Sequence, residues 1–175
     1  MAVRKRSRTS GADYSLAVQF ASRLPNLPSE ADFKRWMRAA LGQAAQVTIR
    51  VVNAAEARDL NNTFRGRNYP TNVLTFIYHD SGSNVLRGDI VLCAPVVARE
   101  ARERRKILAH HYAHLTVHGV LHLAGYDHEK QADAEEMEAI ELAILASLGV
   151  PDPYSFESTG EKRSQGGANR KAKSL

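Results

Sequence analysis

A chain of 175 residues with a single cysteine, Cys93, has no partner with which to close a disulfide inside itself. It needs none, because 43% hydrophobic residues at this length suffice for a core without covalent staples. No apolar run approaches the roughly 20 residues of a membrane span. The first residues are basic and no apolar stretch follows them, so a secretory signal is not expected either. Internal repeats are lacking as well. These absences predict one soluble domain in a reducing compartment, the cytoplasm, with no membrane and no disulfide partner.

What the chain does have is a net charge of +5, unevenly spread. Residues 1–13 carry Arg4, Lys5, Arg6 and Arg8 against Asp13. Residues 157–175 carry Lys162, Arg163, Arg170, Lys171 and Lys173 against Glu157 and Glu161. Each end is thus +3 and the body is −1. Both ends are poor in bulky apolar residues, and we read them as basic disordered arms around a single domain at 14–156. Such arms suit polyanions, nucleic acid first, or serve only as solvated tails.

Along the body, Tyr14 to Phe20 alternates as a half-buried strand does. Ser29 with Asp32 makes a capping box ahead of Phe33, Trp36, Met37, Ala40 and Leu41 at helical spacing. Val47, Ile49 and Val51 predict a second strand. Asn53 and Glu56 open a helix that Gly66 ends, with Arg58 and Arg65 sharing one face. Val73 to Tyr78 is apolar on both faces, which predicts an inner strand, and Gly88 to Cys93 gives a fourth. Pro95 suits the first turn of a basic helix bearing Arg99 and Arg102, with Arg104 and Arg105 at its end. From Glu129 to Leu148 an apolar stripe of Met137, Ile140, Ile144 and Leu148 predicts the last helix. The fold class is therefore α+β: a small four-stranded mixed sheet packed against about five helices, with a central histidine-bearing helix lining a metal cleft.

That helix is the chemical centre of the sequence. His118 and His122 are four apart, so they stack on one face and can aim two imidazoles at one ion. Gly125 can end the helix in the left-handed conformation and bring His128 round as a third ligand. Three histidines leave a fourth position on zinc for water, the arrangement of a catalytic site. His111, His114, His118 and His122 fall in one stripe, with Val117, Val120 and Leu121 behind it. His114 and Asp127 are placed in the cleft or backing the ligands, and Asp127 can instead cap the last helix. His110 and His111 read as partly exposed residues of the helix start. The spacing is shared with one class of zinc proteases, but those carry a glutamate beside the first histidine and here the residue is Gly119.

These residues resemble the YbeY family of bacterial rRNA maturation factors, which are single-strand-specific metallo-endoribonucleases. The resemblance runs through Leu60-Asn61, Phe64-Arg65-Gly66, Thr71 to Phe76, Gly88-Asp89-Ile90, His114-Leu115, His118 to His128, Met137-Glu138 and Pro151-Asp152-Pro153-Tyr154. It implies one zinc per chain on His118, His122 and His128, and a catalytic role for Arg65. It also implies a function in small-subunit rRNA processing and ribosome quality control. Single-stranded RNA, rRNA and the small ribosomal subunit would then be the partners. The basic arms lie outside the pattern.

The chemistry of the residues is compatible with that. Water on zinc is acidified toward a pKa of about 7 and could attack a phosphodiester without the missing glutamate. An arginine fork suits phosphoryl oxygens, so Arg65 is the candidate stabiliser of developing charge, though a helix-end arginine bonding the last carbonyls fits the position equally. Arg58 and Arg67 are the further candidates for RNA contact. A zinc peptidase and a zinc-stabilised RNA-binding protein without turnover are the alternatives. Gly119 counts against the first and the open fourth position against the second.

Overall fold

The computed structural model describes residues 13–79, 81–126 and 131–155. Elements follow as β1 (Tyr14–Phe20), α1 (Glu30–Ala40), β2 (Ala45–Val52), α2 (Ala54–Arg65), β3 (Val73–Ile77), β4 (Leu86–Cys93), α3 (Ala94–Glu103), α4 (Leu108–Leu123) and α5 (Gln131–Ser147). The frame is the α+β arrangement expected, a four-stranded mixed sheet with five helices. Local chemistry sets several of the boundaries. The Ser29 hydroxyl accepts from the Asp32 amide while the Asp32 carboxylate accepts from the Ser29 amide, which completes the capping box of α1. The Asn53 side chain accepts from the Glu56 amide at 2.9 Å to start α2, and Gly66 ends it.

The strand order is β1-β2-β4-β3. β1, β2 and β4 run parallel, and β3 lies antiparallel to β4, Val73 facing Leu92 and Ile77 facing Gly88. β3 is thus an edge strand and not the inner strand expected from its composition. Its two apolar faces have another cause, because the sheet is covered on both sides there. Leu74 and Phe76 belong with Val52, Ala57, Val91 and Cys93 under α2 and α3, while Val73 packs into the larger core with α4. Composition reports burial of the faces and is blind to the lateral neighbour.

The larger core joins α1, α4 and α5 to the other sheet face through Phe33, Trp36, Met37, Ile49, Ile90, Leu92, Tyr112, Leu121 and Leu145. α4 sits unusually close to β4. A Cβ on Gly119 would lie 3.0–3.4 Å from Ile90, and one on Gly88 would lie 2.5 Å from the Phe76 carbonyl oxygen and 2.6 Å from Leu123 Cδ2. These two glycines let the histidine helix settle onto the strand, which gives Gly119 a packing reason. A glutamate at 119 would be directed at Ile90. Of the expected arms, residues 1–12 and 157–175 lie outside the described residues, while the Asp13 carbonyl, just before β1, accepts from the Ala45 amide.

Candidate metal centre

α4 carries His118 and His122 one turn apart on one face, and both side chains are half-buried. Their ring centroids are 4.5 Å apart and their Nε2 atoms are 3.0 Å apart. The other nitrogen of each ring has a partner. His118 Nδ1 lies 3.0 Å from Glu141 Oε1, and His122 Nδ1 lies 3.0 Å from the Tyr126 carbonyl oxygen. A hydrogen on each Nδ1 leaves both Nε2 lone pairs facing one point, the tautomer a metal ligand needs. Two nitrogens on one zinc at the usual bond length lie roughly 3.3 Å apart. A separation of 3.0 Å is within a small ring rotation of that, so the pair fits an ion.

The turn behind the pair has the geometry expected of it. Gly125 takes φ 94°, its amide donates to the His122 carbonyl, and the Tyr126 amide donates to the Leu121 carbonyl at 3.1 Å. This closes α4 with a Schellman motif and presents the Tyr126 carbonyl to His122. His128 and Asp127, expected as third ligand and as cleft or capping residue, lie outside the described residues.

Glu141 is a further member of the site, and spacing within an element does not single it out. It sits on α5 in phase with Met137 and Leu145, is 1% exposed, and gathers three donors. These are His118 Nδ1, His114 Nε2 at 3.3 Å and the Tyr154 hydroxyl at 2.6 Å. Burial alone would raise its carboxyl, but the bonds from His114, His118 and Tyr154 outweigh it and hold the group down at about 2. Burial, with the Glu141 carboxylate beside it, pushes the Tyr154 hydroxyl up. The one signal in the sequence is an acidic residue in the apolar stripe of a helix, and its partner, 23 positions away, leaves no trace there.

His114, His118 and Glu141 bring ligand atoms within 4.8 Å of one another and could hold a metal ion. The same His118 therefore offers two different nitrogens to two different places. His111 corrects the expectation of a partly exposed residue, since it is 2% exposed with Nε2 2.8 Å from Glu100 Oε2. Glu100 also accepts from Asn72, which ties β3 and α3 to the start of α4. His110 is half-buried, as expected.

The candidate arginines sit on α2 and on the loop just after it. Arg58, Arg65 and Arg67 are all exposed, Arg58 3.5 Å from Asp59 and Arg67 donating to the Tyr69 hydroxyl at 3.3 Å. The helix that bears Arg58 and Arg65, α2, packs on the sheet face of Val91 and Cys93, opposite to that of α4. Among the described residues no hydrogen bond or ion pair joins Arg65 to the imidazoles. Buried Asn61 anchors the loop that follows α2 by donating from Nδ2 to the Tyr69 carbonyl at 2.8 Å.

Frame and cleft together define an α+β protein able to hold a metal ion on a buried histidine helix. The profile of the Endoribonuclease YbeY family matches residues 22–149. The endoribonuclease YbeY of Thiobacillus denitrificans is 57% identical over 139 residues, which span 79% of this chain and 95% of that protein. That of Methylobacillus flagellatus is 52% identical over 143 residues, 82% of this chain and 95% of the relative. A solution structure of a Thermotoga maritima protein aligns at 23% identity and TM-score 0.43 over 87% of this chain and 99% of that one. The chain belongs to the endoribonuclease YbeY family.

Proposed function

We propose that the protein is a zinc-dependent endoribonuclease that hydrolyses single-stranded RNA. In this reading it acts in the cytoplasm in small-subunit rRNA end maturation and ribosome quality control. The observation that carries the reading is the pair of Nε2 atoms 3.0 Å apart, each backed at Nδ1 by an acceptor. We put the ion there, with His128 as third ligand, and not within the group of His114, His118 and Glu141. The buried Glu141 oxygens already accept three bonds, whereas the two Nε2 atoms belong to half-buried side chains. Bound there, zinc would supply Lewis acidity toward a phosphoryl oxygen and acidify water at neutral pH.

The chain's own residues divide the remaining work. The Tyr126 carbonyl backs the His122 ring and Glu141 backs the His118 ring at Nδ1. Arg65 supplies a guanidinium for charge developing on the phosphoryl group, and Arg58 and Arg67 hold the strand. That role for Arg65 is supported by its exposure and its freedom from ion pairs among the described residues, which leave the fork available to a ligand. Since α2 and α4 take opposite sheet faces, RNA engaging both would have to pass round the margin of the sheet. The peptidase alternative lacks the glutamate, and a side chain at 119 would start out against Ile90.

Zinc-loaded protein, purified free of contaminating nuclease, is incubated with single-stranded RNA, duplex RNA and a casein-like peptide, and zinc content is measured beside the rate. Cleavage of single-stranded RNA alone is expected. His118→Ala should lose zinc and activity together, whereas Arg65→Ala should keep zinc and lose about 10²–10³ in turnover. Peptide cleavage without RNA cleavage would sink the reading, and zinc without turnover on any RNA would favour a binding factor.

A further inference from the structure

Glu141 occupies an otherwise apolar stretch of its helix face. Met137 and Leu145 flank it one turn away on either side, both buried in the core. Removing an ionised carboxylate from water costs several kcal/mol, and a buried charged network is a poor way to gain stability when a well-packed aliphatic would fill the space. The three donors around it explain how the charge is tolerated without explaining why it is there. They differ in one respect: only His118 has a second ring nitrogen facing another ligand candidate, His122 Nε2 at 3.0 Å. Its neighbour in the pair is backed differently, since His122 Nδ1 meets a neutral backbone carbonyl. One imidazole is thus supported by an anion and the other by a dipole.

We infer that Glu141 is the positioning residue of the metal centre. It fixes His118 with its hydrogen on Nδ1 and its lone pair on Nε2, and makes that ring the more electron-rich of the two ligands. Tyr154, donating its hydroxyl at 2.6 Å, holds the carboxylate in place from the segment that follows α5. The dication expected one ring away supplies the opposite charge that a buried carboxylate otherwise lacks, and the carboxylate–imidazole–metal order is one by which ligand basicity is commonly raised. Three separate pieces of chain, α4, α5 and the 151–155 segment, therefore meet at Glu141. This inference rests on the reading that His118 and His122 hold the ion.

The test uses the full-length, zinc-loaded protein. Its zinc dissociation constant is measured by competition with a chromophoric chelator, and the ring nitrogens of His118 are followed by 15N NMR. Glu141→Gln keeps the volume and one acceptor and removes the charge. It should weaken zinc binding about 10- to 100-fold and move the His118 Nδ1–H resonance, with the circular dichroism spectrum unchanged. Tyr154→Phe, which removes a bond to Glu141 and none to His118, should shift both readouts in the same direction by less. It carries the test alone if Glu141→Gln does not fold. Zinc affinity within about twofold of the parent in the variant tested, with an unmoved His118 signal, would overturn the inference. His118→Ala separates the two levels. If that variant binds zinc as the parent does, the site reading itself has failed, while loss of zinc there and none in Glu141→Gln or Tyr154→Phe condemns only the role of Glu141.

Discussion

Glu100 shows how a single side chain can set an acid limit on the fold. Burial pushes its carboxyl up, but the hydrogen bonds from His111 and Asn72 outweigh that and leave it below the usual range. A depressed carboxyl contributes stability that is complete above its unfolded value of about 4.3 and disappears as pH falls through the folded value. Glu100→Gln should therefore cost about 1–2 kcal/mol at neutral pH, the order of a hydrogen bond to a charged group, and progressively less below about pH 4. Urea unfolding of parent and variant from neutral pH down to about pH 3 checks this, and a difference that persists undiminished at the acid end would rule it out. Neither partner is legible in the sequence, where His111 looks like one more histidine near a helix start. What sequence conveys at this scale is spacing within an element. His118 and His122 can be paired on paper because four residues fix their geometry, whereas Glu100–His111 and Glu141–His118 are contacts between elements.

Helix starts and stops are readable for the same reason. Ser29 with Asp32, Asn53 with Glu56, and Gly125 all act within four residues, and each does in the fold what its local chemistry dictates. The rank of β3 in the sheet is not readable, since lateral pairing is decided by residues in β4 and covering by residues in α2 and α4. The seam between α4 and β4 offers a test at this level, because its two glycines face different obstacles. A methyl group at position 88 would meet a backbone carbonyl at 2.5 Å, which cannot yield without moving β3; Gly88→Ala should cost about 3 kcal/mol, at the upper end for overpacking. Gly119→Ala meets only the Ile90 side chain at 3.0 Å and gains helix propensity of about 1 kcal/mol, so it should be destabilising by no more than about 1 kcal/mol. Urea midpoints give the order directly. A Gly119→Ala variant less stable than Gly88→Ala would mean that the seam is set from the helix side.

For the molecule as a whole, charge and chemistry occupy different parts of the chain. The body is close to neutral at −1, and the surplus lies in residues 1–13 and 157–175, each +3. A nearly neutral body gives RNA little long-range attraction, so binding should draw on the ends for its electrostatic part while turnover depends on the imidazoles and Arg65. The Asp13 carbonyl accepts from the Ala45 amide at the start of β2, so the deletion that tests this removes residues 1–12 and 157–175 and spares it. Binding of a short single-stranded RNA by parent and truncated protein is followed from about 50 to about 200 mM salt. Each phosphate that the ends neutralise in the parent and leave bare after truncation should flatten the slope of log K against log salt by about 0.7, the value for single strands. If the ends neutralise about three to six phosphates, the slope changes by about 2–4, with weaker binding at low salt and convergence at high salt. Turnover at saturating RNA should be unchanged, since neither end supplies a residue of the proposed metal centre. Equal slopes would show that the ends take no part in binding, and a fall in saturated turnover would show that one of them reaches the reacting phosphate.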